Sequence, residues 1–220
     1  MANSKSLFVN AITFARVPLI FAWAALAVVQ ELGFGDGLVL AVLACAAMLL
    51  SGLTDLWDGK LARKRKVVSP LGKMADPLMD KVFYIVAFPT LLWQILHQGG
   101  TGSVAHALVM LVFTVLYMLR DTWVTFLRSV GTMYGADVAA MWLGKVRTAL
   151  SFPGAGWVYV YLAFNGFVPE LGEAGRQAWL VSCYVVEGFL MALTVWSLVT
   201  YTAAYMPYMR KALSGDPAGN

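Results

Sequence analysis

Apolar residues in this chain do not recur in stripes; they fill long blocks separated by short polar breaks. A stripe at helical spacing marks a helix half in water, whereas a block of about 20 apolar residues is long enough to cross a bilayer as a helix. Six such blocks are read, at about residues 12–29, 38–63, 71–96, 104–130, 145–164 and 177–205. A short amphipathic segment leads into the first. The second is unusually long and ends polar. Pro153, Gly154 and Gly156 predict a kink in the fifth. The pattern predicts an all-α, polytopic membrane protein with six transmembrane helices. No internal repeat or low-complexity tract interrupts it. We read one membrane domain over residues 1–213 and a flexible tail over 214–220.

An even number of spans puts both termini on one side. Placing them in the cytoplasm gives that side Lys5, Arg16, Lys60, Arg63, Lys64, Arg65, Lys66, Lys73, Lys81, Arg120, Arg128, Lys145, Arg147, Arg210 and Lys211. Of the 16 Lys and Arg only Arg176 falls on the other side, with Glu31, Asp36, Glu170 and Glu173. This is a strong positive-inside asymmetry, and dropping or adding a helix would scramble it. The run Arg63–Lys66 reads first as a topology signal and a contact for anionic lipid.

Composition agrees with the pattern: 60% of residues are hydrophobic and 13% charged, against about half and a quarter in soluble domains. The net charge of +4 belongs to the positive-inside labelling and does not imply nucleic acid. Cys45 and Cys183 sit in apolar runs as packing residues, without a disulfide framework or CxxC spacing. Arg16 and Pro18 interrupt any signal-peptide core, so the N-terminus is expected to be retained.

The chemistry concentrates between residues 55 and 80, which read DLWDGKLARKRKVVSPLGKMADPLMD. Asp55 and Asp58 are spaced i, i+3, and Asp76 and Asp80 are spaced i, i+4. Each pair shares one face of its helix. A short cytoplasmic loop joins the two helices, so the four carboxylates can meet at one shallow depth. One aspartate near the middle of a membrane helix costs about 2.5–3.5 kcal/mol on insertion scales, and clustering four adds repulsion. Divalent metal is the natural neutraliser, because Mg²⁺ takes oxygen ligands and leaves room for phosphate. A structural network with nearby Lys and Arg is the plainer alternative. Gly59 removes a side chain where a ligand would approach, Ala62 keeps the next turn open, and Arg63 can fork onto a phosphate. Gly72 lets the third helix begin close to the second.

Asp55-x₂-Asp58-Gly59-x₂-Ala62-Arg63-x₈-Gly72-x₃-Asp76-x₃-Asp80 resembles the signature of the CDP-alcohol phosphotransferases at all eight positions. That family has six helices with both ends cytoplasmic, so the likeness extends along most of the chain. The resemblance implies two divalent ions, Mg²⁺ or Mn²⁺: Asp55, Asp58 and Asp76 on one, with Asp55, Asp76 and Asp80 contributing to the second. It implies that Asp80 is the general base, taking the acceptor proton during attack on the CDP-lipid and release of CMP. Asn10-Ala11-Ile12-Thr13 resembles the family's nucleotide-side element. Asn10, Thr13, Gly59, Arg63 and Ser69 are the expected CDP-lipid contacts. The resemblance further implies a homodimer in a bacterial inner membrane, with the active site facing the cytoplasm.

A second basic set, Arg120, Arg128, Lys145 and Arg147, lies at the cytoplasmic ends of the fourth and fifth spans. It reads either as positive-inside labelling or as a pocket for a phosphorylated acceptor, since cations within a membrane need an anionic partner. Arg120-Asp121-x₆-Arg128 and Val138-x₅-Gly144-Lys145-Val146-Arg147-Thr148 are similar to segments of the phosphatidylglycerophosphate synthase branch. Asp121 stands where that branch has Glu, and Arg147 where it has Lys. The implied substrates are CDP-diacylglycerol and sn-glycerol 3-phosphate. A branch using inositol phosphate is the alternative acceptor reading. A divalent-cation transporter is the rival of another class, disfavoured because the outer halves of the second and third spans are nearly all apolar. Glu187, mid-way along the sixth span, is left between a subunit interface, a lipid-entry groove and a bound water. His97 and His106 are expected in an outer loop.

Overall fold

The computed structural model describes residues 4–65, 70–99, 101–136, 141–168 and 172–214, with side chains described for 14–54, 57, 78–99, 103–136, 141–168 and 172–214. The described residues form six helices: α1 (Ser4–Glu31), α2 (Gly37–Arg65), α3 (Pro70–His97), α4 (Thr101–Met133), α5 (Trp142–Phe164) and α6 (Gly172–Ser214). No strand occurs among them. The expected amphipathic lead-in and the first span are one continuous helix, and α6 extends beyond the expected span at both ends.

Among the described residues, five helices are long and apolar enough to cross a membrane, through the segments Phe14–Glu31, Gly37–Thr54, Leu78–His97, Ser103–Met133 and Gly172–Ser214. The chain is a multi-pass membrane protein. Helix α5 falls short by composition, because it carries Lys145, Arg147, Ser151, Pro153 and three glycines. Its Arg147, Ser151, Ala155, Val158, Tyr159, Leu162 and Ala163 are all buried. A helix solvated by protein needs less hydropathy than one solvated by lipid. Helix α5 runs through Pro153 without a break in its assignment.

Local chemistry explains the helix ends. Asp36 Oδ1 accepts the N–H of Leu38 at 2.9 Å and of Val39 at 3.1 Å, capping α2. Gly33 and Gly35, before that cap, have φ of 74° and 81°, values that a side chain disfavours.

The chain divides into two compact units, residues 1–107 with 155–178, and 108–154 with 179–220. In the first, α1 packs along α2 and α3. Trp23 is fully buried, edge-on to Tyr159 at 5.3 Å and tilted against Phe83 at 6.5 Å. Ala27, Ala41, Ala44 and Ala87 are completely buried, and small residues of this kind let membrane helices approach closely. The last carbonyls of α5 have no helical partner. Gln98 Nε2 donates to Leu162 O at 2.9 Å and Gln30 Nε2 to Ala163 O at 3.0 Å.

The second unit packs Val124 and Leu127 against Tyr201 and Tyr205. Gly131 is required there, since a Cβ would fall 2.5 Å from Tyr205 Cε1. Glu187 is 1% exposed, so it faces protein and neither a subunit interface nor a lipid groove. The two histidines are helical and not in a loop. His97 stacks on Trp93 at 4.6 Å in the last turn of α3, and His106 is buried in α4.

Candidate active site

In the first unit, Asp55 and Asp58 lie on helical backbone of α2, and Asp76 and Asp80 on that of α3, so each pair keeps the spacing of one helix face. The side chains of Asp55, Asp58 and Asp76 lie outside the described residues, as do those of Asn10, Thr13, Gly59 and Arg63; Ser69 lies outside them altogether. Asp80 is described. Its Oδ1 accepts a hydrogen bond from Arg16 Nη1 at 3.1 Å.

That ion pair is asymmetric: the Arg16 side chain is 4% exposed and that of Asp80 is 39% exposed. Arg16 therefore anchors the carboxylate from the protein side and leaves much of it accessible. Aspartates at helix-face spacing on α2 and α3 are oxygen donors by residue type, which suits a hard divalent cation, and Asp80 is the one whose carboxylate lies among the described side chains. By that chemistry the residues fit such an ion. The sequence noted Arg16 only as a flank of the Asn10–Thr13 element. Its separation from Asp80 hid the pairing.

In the second unit, three of the four cations named from the sequence come together. Arg120 is engaged at every nitrogen: Nε donates to Ser197 Oγ at 3.1 Å, Nη2 to the same oxygen, and Nη1 to Asp121 Oδ1 at 3.1 Å. Arg147 donates from Nη2 to Asp121 Oδ1 and lies 3.9 Å over the Tyr117 ring. Arg128 Nη2 donates to Tyr201 Oη at 3.1 Å. Lys145 is exposed and joins no described hydrogen bond or ion pair through its side chain. The structure does not bring it into the cluster.

The charges do not balance. Arg120 and Arg147 are 6% and 2% exposed, and among the described residues the carboxylate paired with them is that of Asp121. Nε and Nη1 of Arg147 are buried without a hydrogen-bond partner among the described residues, as is Nε of Arg128. A buried, unpaired charged donor is costly, and the N-terminus of α5 adds positive potential. An anion relieves all three conditions. Asp121, Ser197, Tyr201 and Tyr117 complete the cluster, and only Asp121 had drawn notice in the sequence. One signal was available: Thr194, Ser197 and Tyr201 recur at spacings of three and four in α6 and form a buried polar stripe.

Comparison with known proteins identifies the family. The family model of the CDP-alcohol phosphatidyltransferases matches residues 7–200, and the chain belongs to that family. It is therefore a phosphatidyltransferase, of a family that generally uses divalent metal. The chain is 26% identical over 152 residues to a CDP-diacylglycerol–glycerol-3-phosphate 3-phosphatidyltransferase of Haemophilus influenzae, covering 69% of this chain and 71% of the relative. To the protein of the same name from Bacillus subtilis it is 33% identical over 150 residues, covering 63% and 69%. A cardiolipin synthase (CMP-forming) of Streptomyces coelicolor is 28% identical over 162 residues, covering 69% and 67%. Membership in a family of transferases leaves the cation-transport alternative without support.

Proposed function

We propose that this protein transfers the phosphatidyl group of CDP-diacylglycerol to the free hydroxyl of sn-glycerol 3-phosphate, giving phosphatidylglycerophosphate and CMP. The observation that carries the acceptor is the cationic excess around Arg147, whose buried donors match a phosphate monoester. Choline carries no anion and serine only a single carboxylate, so neither needs so many cations. Relatives bearing the glycerol-3-phosphate name support the same choice.

In this reading the acceptor phosphate is held by Arg147, with Arg120 and Arg128 contributing positive potential. Asp80 takes the proton of the acceptor hydroxyl as its oxygen forms a bond to the phosphatidyl phosphorus. The bond from that phosphorus to the bridging oxygen breaks, and CMP leaves with the electron pair. Arg16 fixes the orientation of Asp80. Asn10, Thr13, Gly59, Arg63 and Ser69 contact the CDP-lipid. Asp55, Asp58, Asp76 and Asp80 would hold two divalent ions, Mg²⁺ or Mn²⁺. Bound metal supplies charge neutralisation at the pyrophosphate. Residues 1–213 act as one catalytic domain of six spans, as a homodimer in a bacterial inner membrane, with the site and both termini on the cytoplasmic side. The distribution of Lys and Arg supports that orientation.

The deciding experiment offers the detergent-purified protein CDP-diacylglycerol with glycerol 3-phosphate, inositol phosphate or phosphatidylglycerol, and identifies the lipid product. Turnover with glycerol 3-phosphate alone is expected. Preference for inositol phosphate, or for the lipid acceptor that would give cardiolipin, overturns the assignment.

A further inference from the structure

Three elements of the second unit converge on one side chain that the reaction itself does not call for. The Tyr201 hydroxyl oxygen accepts from Arg128 Nη2 at 3.1 Å and from the backbone N–H of Met141, immediately before α5, at 2.8 Å. Its ring lies 4.9 Å from the Arg120 guanidinium and 5.4 Å from that of Arg128. Tyr201 is 1% exposed. A Cβ at Gly144 would stand 2.9 Å from its hydroxyl and 3.1 Å from Arg120 Nη2, so the first turn of α5 closes on both. Two cations close to one aromatic ring gain from its quadrupole, and a hydroxyl with both acceptor positions filled cannot rotate freely.

We infer that Tyr201 is a positioning residue for the acceptor phosphate: it fixes Arg128, Arg120 and the start of α5, and through α5 sets where Arg147 presents its unpartnered donors. This rests on the acceptor-phosphate reading above. Arg120 is then a brace, since Ser197 and Asp121 occupy all of its nitrogens, and Arg147 is the ligand-facing cation. A side chain that only positions binding groups changes affinity for the one substrate those groups hold. It leaves the other substrate and the chemical step alone.

The test is steady-state kinetics of the full chain in detergent, varying glycerol 3-phosphate and CDP-diacylglycerol separately. Tyr201→Phe keeps the ring and removes the shared hydroxyl. It should raise KM for glycerol 3-phosphate about tenfold, leaving kcat and KM for CDP-diacylglycerol within about twofold. Gly144→Ala, which removes no donor and pushes Tyr201 and Arg120 away from α5, should give the same split. Tyr201→Phe with an unchanged KM for glycerol 3-phosphate, or an equal rise for both substrates, overturns the inference. Should Tyr201→Phe aggregate on gel filtration, Gly144→Ala decides by the same criterion. Arg147→Gln separates the two levels. If it leaves KM for glycerol 3-phosphate unchanged, the acceptor reading falls and this inference with it. If it raises that KM and Tyr201→Phe does not, only the role of Tyr201 falls.

Discussion

The acidic region of the first unit and the basic region of the second are built in opposite ways. The aspartates come from two consecutive helices, within 26 residues of sequence from Asp55 to Asp80. The cations come from α4 and α5 with partners on α6, and Arg120 and Ser197 are 77 positions apart. The described carboxylate, Asp80, is 39% exposed and held by one buried arginine. Arg120 and Arg147 are buried and are themselves held by a carboxylate, a hydroxyl and an aromatic ring. An exposed carboxylate offers oxygen to a cation or a proton, and a buried cationic cluster with orphaned donors offers N–H to an anion. On the function proposed above, the first region carries the chemistry and the second recognises the acceptor.

The comparison breaks most readily at Asp80. Asp80→Asn should lower CMP release by about a thousandfold, the middle of the range for loss of a general base, while the protein still binds CDP-diacylglycerol. Full activity in that variant would remove the base from the proposal. Chelation with EDTA should stop turnover, and added Mg²⁺ or Mn²⁺ should restore it. Catalysis indifferent to chelator would remove the metal from the acidic region.

Arg147→Gln comes next, with KM for glycerol 3-phosphate expected to rise by about a hundredfold as a charge-assisted contact is lost. A matching fall in kcat would instead place Arg147 with the chemistry. Arg16→Gln acts through Asp80, so kcat should fall about tenfold with little change in either KM. An effect confined to KM for glycerol 3-phosphate would move Arg16 to the recognition side. Lys145→Ala should change KM for glycerol 3-phosphate by less than about twofold, because an exposed side chain outside the cluster contributes little. A large rise there would mean that the four cations act together as the sequence had paired them. The smallest effect belongs to Gln98→Ala, expected to lower stability by about 1 kcal/mol. It removes the shorter of two side-chain hydrogen bonds to the Leu162 carbonyl of α5, leaving that from Asn165 Nδ2 at 3.4 Å, and thermal unfolding measured in detergent reads it.

The number and approximate bounds of the helices were legible from composition alone, because a bilayer demands a long apolar block wherever a helix crosses. Helix α5 shows the limit of that rule, being buried along one side and correspondingly less apolar. The histidines show another. His97 and His106 look like loop residues by polarity, yet α3 and α4 continue through both, since a ring stacked on Trp93 or buried beside Tyr161 is compatible with helix.

What sequence by itself determined is the pairing of carboxylates at i, i+3 and i, i+4. Helical periodicity is a local property and sets which side chains share a face. It likewise determined that Arg120, Arg128 and Arg147 were candidates, because a cation in an apolar block is conspicuous. Only the tertiary structure decided their partners: Arg16 for Asp80, Ser197 and Asp121 for Arg120, Tyr201 for Arg128, and none of them for Lys145. Those contacts depend on how distant helices rotate about their own axes when they pack. The rotation follows from the summed fit of all their side chains, which no short stretch of sequence encodes.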